Sequence, residues 1–302
     1  MKMNKSLYPP HPYLLLFISI LSISISSILI KSSETPTSVA GMYRLFITVI
    51  LMLPFVPWKS LRNLMMSKKD WSVVLLAGLF LGLHFLCWME SLVHTSVASS
   101  MVILSLQPLF VMLGSYFIFK QQANMVTILC LVTALAGSII IAWGDIGVSR
   151  EALIGDGLSL LGTIAVSAYM LAGQKVSHKI DANVYSVIVF FLGGIVLLIY
   201  SLINHIPLTG YNTSDWMYFL LLAIIPTIFG QFLINLLLKS LGATTLSVGI
   251  IGEPVLAIIL AFLFLGETIS LFQFIGGMVT VLGMGVYFWA KSWRYTISKV
   301  RT

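Results

Sequence analysis

Long apolar runs separated by short polar intervals cover this chain from end to end. A helix needs ~20 mainly apolar residues to cross ~30 Å of hydrocarbon. That ruler predicts ten membrane spans, over 13–31, 37–57, 72–92, 96–119, 124–143, 155–174, 183–204, 216–238, 243–265 and 269–290. The second span carries Arg44 and the sixth is rich in small residues, so these two depart furthest from a plain apolar run. The intervals are a few residues long and leave no segment to fold as a soluble domain. Lys2 and Lys5 ahead of the run 13–30 imitate a signal peptide. That run is longer than a signal core and has no clear small-x-small cleavage site, so it reads as a first membrane helix.

Composition agrees. Hydrophobic residues make up 59% of the 302 positions and charged residues 9%, against about a quarter charged in an ordinary soluble domain. So few charges cannot clothe a water-facing surface, and the expected partner of that surface is the lipid bilayer. The formal net charge of +7 does not indicate nucleic acid, because the basic residues sit in short intervals and form no continuous basic face. Cys87 and Cys130 both fall inside apolar runs and offer no disulfide framework or zinc spacing. With ten spans and both termini cytoplasmic, 14 of the 17 Lys and Arg residues lie on the cytoplasmic side, Lys31 and Arg150 lie outside, and Arg44 lies within a span. This is the bias that sets orientation in a cell membrane.

The two halves repeat at an offset of about 146 residues. The fourth span reads SVASSMVILSLQPLFVMLGSYFIFKQQ from Ser96, and the ninth reads ATTLSVGIIGEPVLAIILAFLFLGETI from Ala243. Gln107 and Pro108 fall on Glu253 and Pro254, and Asp70 and Trp71 open the third span as Asp215 and Trp216 open the eighth. Five spans per half is an odd number, so the halves enter the membrane from opposite sides. The expected organisation is two inverted five-helix repeats, 1–148 and 149–302. Inverted repeats are a common construction in secondary transporters, with the site near the midplane where the halves meet.

His84, Phe85, Trp88, Ser91, Leu92, the run 95–100 and Pro108, followed by Gly242, Ala243, Thr244, Glu253, Pro254, Leu265, Gly266 and Glu267, resemble in order and spacing the drug/metabolite transporter superfamily of EamA type. The similarity runs along essentially the whole chain, and Arg44 matches an arginine common in that family. The resemblance implies a ten-helix, two-repeat carrier of the cytoplasmic membrane, usually exporting small metabolites such as amino acids. Gln121 or Gln122 stands where the family's first repeat often has glutamate.

Ionisable groups inside a bilayer are costly, so each needs a reason. Glu253 lies about ten residues into its span, hence ~15 Å deep, and Pro254 beside it deprives a carbonyl of its partner. A carboxyl at a hinge is a candidate for substrate binding or coupling; a neutral, hydrogen-bonded carboxyl that only packs is the alternative. Gln107 and Pro108 are its counterparts. Arg44, about two turns from the outer surface, could reach the headgroups, pair with Glu253, or meet an anionic group of the substrate. His84, Trp88 and Ser91 share one face of the third span. In the eighth span Thr227, Gln231, Asn235 and Lys239 recur every fourth residue after Pro226, a polar stripe that must face the bundle rather than lipid. Small residues such as Ser159, Thr163, Ser167, Gly276 and Gly283 suit close packing, and the glycines of the tenth span would equally suit a contact between two copies.

These features predict a secondary carrier that moves a small-molecule substrate by alternating access. No Walker-type phosphate loop is present, and no cofactor or metal is expected. The intramembrane ionisable groups are too few and scattered for a membrane-embedded enzyme, and no soluble domain is left to relay a sensor's signal.

Overall fold

The computed structural model describes residues 11–57, 66–95, 97–143, 149–265 and 269–300. Many of its segments are rich in Ile, Val and Phe, which would suit strands in water. All fold as helices, because in lipid each segment must satisfy its own backbone hydrogen bonds.

The first half holds α1 (Pro12–Lys31), α2 (Thr37–Met52), α3 (Lys68–His94), α4 (Val97–Leu104), α5 (Gln107–Phe119) and α6 (Met125–Trp143). The second holds α7 (Arg150–Val176), α8 (Ala182–Ile203), α9 (Thr213–Leu222), a π-helical segment (Ala223–Phe232), α10 (Leu233–Leu241), α11 (Ala243–Ile250), α12 (Glu253–Leu265) and α13 (Leu271–Val300). Nine helical stretches among the described residues are long and apolar enough to cross a membrane, and α6 adds a shorter apolar helix over Met125–Ile141. The ten-span expectation holds, with the fourth and ninth spans each built of two helices.

Those two divided spans break at equivalent places. Ser105 and Leu106 form a turn ahead of α5, and Ile251 and Gly252 form one ahead of α12. Gln107 and Glu253 therefore begin their helices, and Pro108 and Pro254 fall in a first turn, where a missing N–H costs nothing. The third and eighth spans also start alike. Ser67 and Asp70 form a capping box ahead of Trp71, and Asn212 and Asp215 form one ahead of Trp216. Gly242, at φ 76°, turns the chain between α10 and α11 within a single residue.

The halves pack as exchanged partners. α3 lies on α7 as α1 lies on the π-helical segment, while α2 pairs with α8 and α6 with α13. The last pair is held at very short range: a Cβ on Gly276 would sit 2.5 Å from the Gly137 carbonyl oxygen. Gly276 and Gly283 are thus used inside the chain, against α6. The ring of Tyr13 meets that of Phe288 with centroids 5.9 Å apart, so both ends of the described chain lie on one face. Trp71 and Trp289 are exposed near that face, and Trp143 and Trp216 near the opposite one. They form the aromatic belts expected at a bilayer's two surfaces, and exposed Phe117, Leu129, Leu202 and Phe274 clothe the lipid-facing wall between them.

Candidate substrate site

Arg44 is the largest fully buried side chain among the described residues, 2% exposed. It does not reach the headgroups. Its Nε donates to Thr227 Oγ1 at 2.6 Å, its Nη1 donates to Ser26 Oγ at 3.0 Å, and its Cζ lies 4.3 Å from the centroid of the Phe85 ring. Thr227 lies in the π-helical segment, and its hydroxyl donates to the Leu222 carbonyl at 2.7 Å. The hydroxyl's single proton is thereby fixed, and an oxygen lone pair is left facing the guanidinium. The remaining guanidinium donors have no hydrogen-bond partner among the described residues.

Arg44 shares a cavity with Ser26, His84, Trp88, Gln107, Gln231 and Glu253. The lining comes from both halves and lies at mid-depth, beside the starts of α5 and α12. His84 is held by a hydrogen bond from Nδ1 to the Gly162 carbonyl, 3.0 Å long, and stacks on Trp88 with ring centroids 5.8 Å apart. A carbonyl only accepts, so Nδ1 carries the proton. Gln107 rests its amide against the Met170 sulfur, and its backbone oxygen accepts from Ser167.

Glu253 is 2% exposed. It makes no ion pair within 4 Å of Arg44 among the described residues. Its Oε1 has no hydrogen-bond partner among the described residues, and neither has Trp88 Nε1. Buried polar atoms are nearly always satisfied, so each such orphan calls for an explanation. Here an unused acceptor, an unused donor and a guanidinium with spare donors surround one void. That void has a volume of about 30 Å³, room for a water molecule or two. This conformation is closed around its polar centre.

Six of the seven residues singled out in the sequence for substrate or coupling meet here: Arg44, His84, Trp88, Gln107, Gln231 and Glu253. Asn235 does not. Its Oδ1 accepts from Tyr169 at 2.5 Å and its Nδ2 donates to Ser186 at 3.0 Å, tying α10 to α7 and α8, and Tyr169 also faces Gln231 of the cavity wall. Asn235 lies in α10, beyond the π-helical turns that hold Thr227 and Gln231. Sequence reasoning missed Ser26 and Phe85 as partners of Arg44. Ser26 belongs to a run of buried serines in α1, Ser19, Ser22, Ser24, Ser26 and Ser27, and that alternation within an apolar helix was the available signal.

Each face has its own tie between the halves. On the face bearing the termini, Lys179 Nζ meets Asp70 Oδ1 at 2.6 Å. On the other, Thr95 and Ser99 donate to Asp156 Oδ1 at 2.9 and 2.8 Å.

The sequence profile of the EamA-like transporter family matches twice, over residues 11–143 and 153–289. Among curated relatives, an uncharacterized transporter of Clostridium kluyveri is 25% identical over 260 residues, covering 84% of this chain and 83% of its own. One of Archaeoglobus fulgidus is 27% identical over 254 residues, covering 81% and 85%. The uncharacterized transporter YdfC of Bacillus subtilis is 25% identical over 254 residues, covering 83% and 81%. A solved crystal structure superposes with a TM-score of 0.76 at 18% identity, covering 91% of this chain and 96% of that one. At that identity the likeness concerns the fold.

Proposed function

The chain belongs to the EamA-like transporter family, and from that membership we propose that it is a secondary carrier exporting a small zwitterionic metabolite, such as an amino acid, across the cytoplasmic membrane by alternating access. The observation that supports this reading is that Arg44 and Glu253 line one mid-depth cavity without pairing, the first from one repeat and the second from the other. A planar guanidinium with unused donors suits a carboxylate. The unpartnered Glu253 carboxyl suits an ammonium group. The starts of α5 and α12 also bring the positive ends of two half-helices to the cavity, a recurrent arrangement in carriers with divided spans. Because the void holds only a water or two, loading requires the repeats to part, and the ties on the two faces would open in turn. Proton coupling through Glu253 or His84 and simple exchange are both compatible with this chemistry. The bias of basic residues supports cytoplasmic termini.

The test is counterflow in proteoliposomes, preceded by a thermal-shift panel of amino acids on the purified protein. A ligand of the folded state raises Tm. At least one amino acid is expected to raise Tm and to exchange saturably. If no member of the panel does either, the zwitterion reading fails.

A further inference from the structure

Below the closed centre, on the face bearing the termini, lies a much larger space of about 410 Å³. Its wall includes Ser115, Gln121, Gln174, Thr244, Thr245 and Lys291. A second space of about 250 Å³ shares Asn124, Thr127, Tyr287 and Lys291 with it. Ser115 is eight residues from Gln107, and Thr245 is eight from Glu253, so this vestibule sits ~12 Å from the central cavity along the same two spans. Leu109, Met112, Val248 and Ile251 belong to one apolar cluster between them.

The chemistry of that wall is one-sided. Lys291 lines both spaces, and no carboxylate among the described residues lines either. Its ammonium donates to Thr245 Oγ1 and stands 6.0 Å from the centroid of the Tyr287 ring. It makes no ion pair among the described residues. An ammonium has three donors, and a half-buried charge without a counter-ion is costly. Around it the wall offers hydroxyls and amides, among them Gln174, whose Oε1 is held by the Ala243 N–H at 2.5 Å.

We propose that this vestibule is a binding site for an anionic oxygen group, a carboxylate or a phosphate, with Lys291 as its counter-ion. The group belongs either to a soluble anion or to the headgroup of an anionic phospholipid, since α13 leaves the membrane at this point. The site is separate from Arg44 and stands whether or not the central cavity carries the solute.

The experiment uses the full chain in a neutral detergent. Melting is followed with acetate, with inorganic phosphate and with short-chain phosphatidylglycerol, each against chloride at matched ionic strength. Wild type is expected to gain a few degrees in Tm. Lys291→Gln and Lys291→Met lose the gain, Lys291→Arg keeps it, and Arg44→Gln leaves it unchanged. A gain with acetate or phosphate assigns the site to soluble anions, and a gain with phosphatidylglycerol alone assigns it to lipid. The proposal is overturned if no anion stabilises wild type beyond chloride, if the Lys291 variants respond like wild type, or if the response vanishes with Arg44→Gln instead.

Discussion

Arg44 Nε and Thr227 Oγ1 lie 2.6 Å apart, joining the second span to the eighth across the boundary between the halves. The threonine's own proton goes to the Leu222 carbonyl, which leaves its oxygen to accept from the charge at the centre of the protein.

Thr227→Val keeps the shape of the side chain and removes the acceptor. A buried guanidinium donor left unpaired costs about 1–3 kcal/mol, so this variant is expected to melt several degrees lower and to transport more slowly. Melting of the purified protein and counterflow rates check both; a wild-type melting curve would show that Thr227 does not hold Arg44.

Arg44→Lys retains the charge and loses the planar fork. Expression and membrane insertion are expected to survive while transport weakens at least tenfold, the equivalent of ~1.4 kcal/mol. Wild-type kinetics in this variant would leave Arg44 a purely structural cation.

Glu253→Gln keeps volume and hydrogen-bonding capacity and removes the charge and the proton site. Flux is expected to be abolished, or to lose its dependence on an imposed pH gradient, with protein level near wild type. Proteoliposome flux with and without the gradient is the measurement. If Glu253→Gln transports at the wild-type rate with the same pH dependence, the coupling group lies elsewhere, with His84 the next to test.

Asp70 both completes the capping box of α3 and pairs with Lys179, whose side chain is 50% exposed. A pair so open to solvent contributes about 0–1 kcal/mol, whereas loss of a cap costs about 0.5–2 kcal/mol. Asp70→Ala is therefore expected to destabilise more than Lys179→Met. Equal losses in chemical denaturation would mean that the ion pair, and not the cap, carries the stability.

Reporter fusions at Lys69, Lys179 and the C-terminus are expected on the cytoplasmic side, and fusions at Gly147 and Asn212 outside. A C-terminal reporter on the outside would contradict the proposed orientation.

Sequence alone determined the span count, the inverted repeat and the polar residues worth following. Each rests on one-dimensional quantities: the length of an apolar run against bilayer thickness, the offset between two similar halves, and the cost of a polar group in hydrocarbon. It also placed Gln107 and Glu253 as counterparts, which the structure shows as the first residues of two half-helices. Tertiary structure decided which of those polar groups meet. Arg44 and Glu253 are 209 positions apart in the chain, and their common cavity follows from how α2, α12 and the π-helical segment pack. Along the stripe of the eighth span, Gln231 lines the cavity while Asn235 is taken up by Tyr169 and Ser186, because three-dimensional packing, and not residue spacing, sets which neighbours each side chain meets. Ser26 became a partner of Arg44 for the same reason: a hydroxyl in an apolar helix is ordinary until packing sets a guanidinium 3.0 Å away.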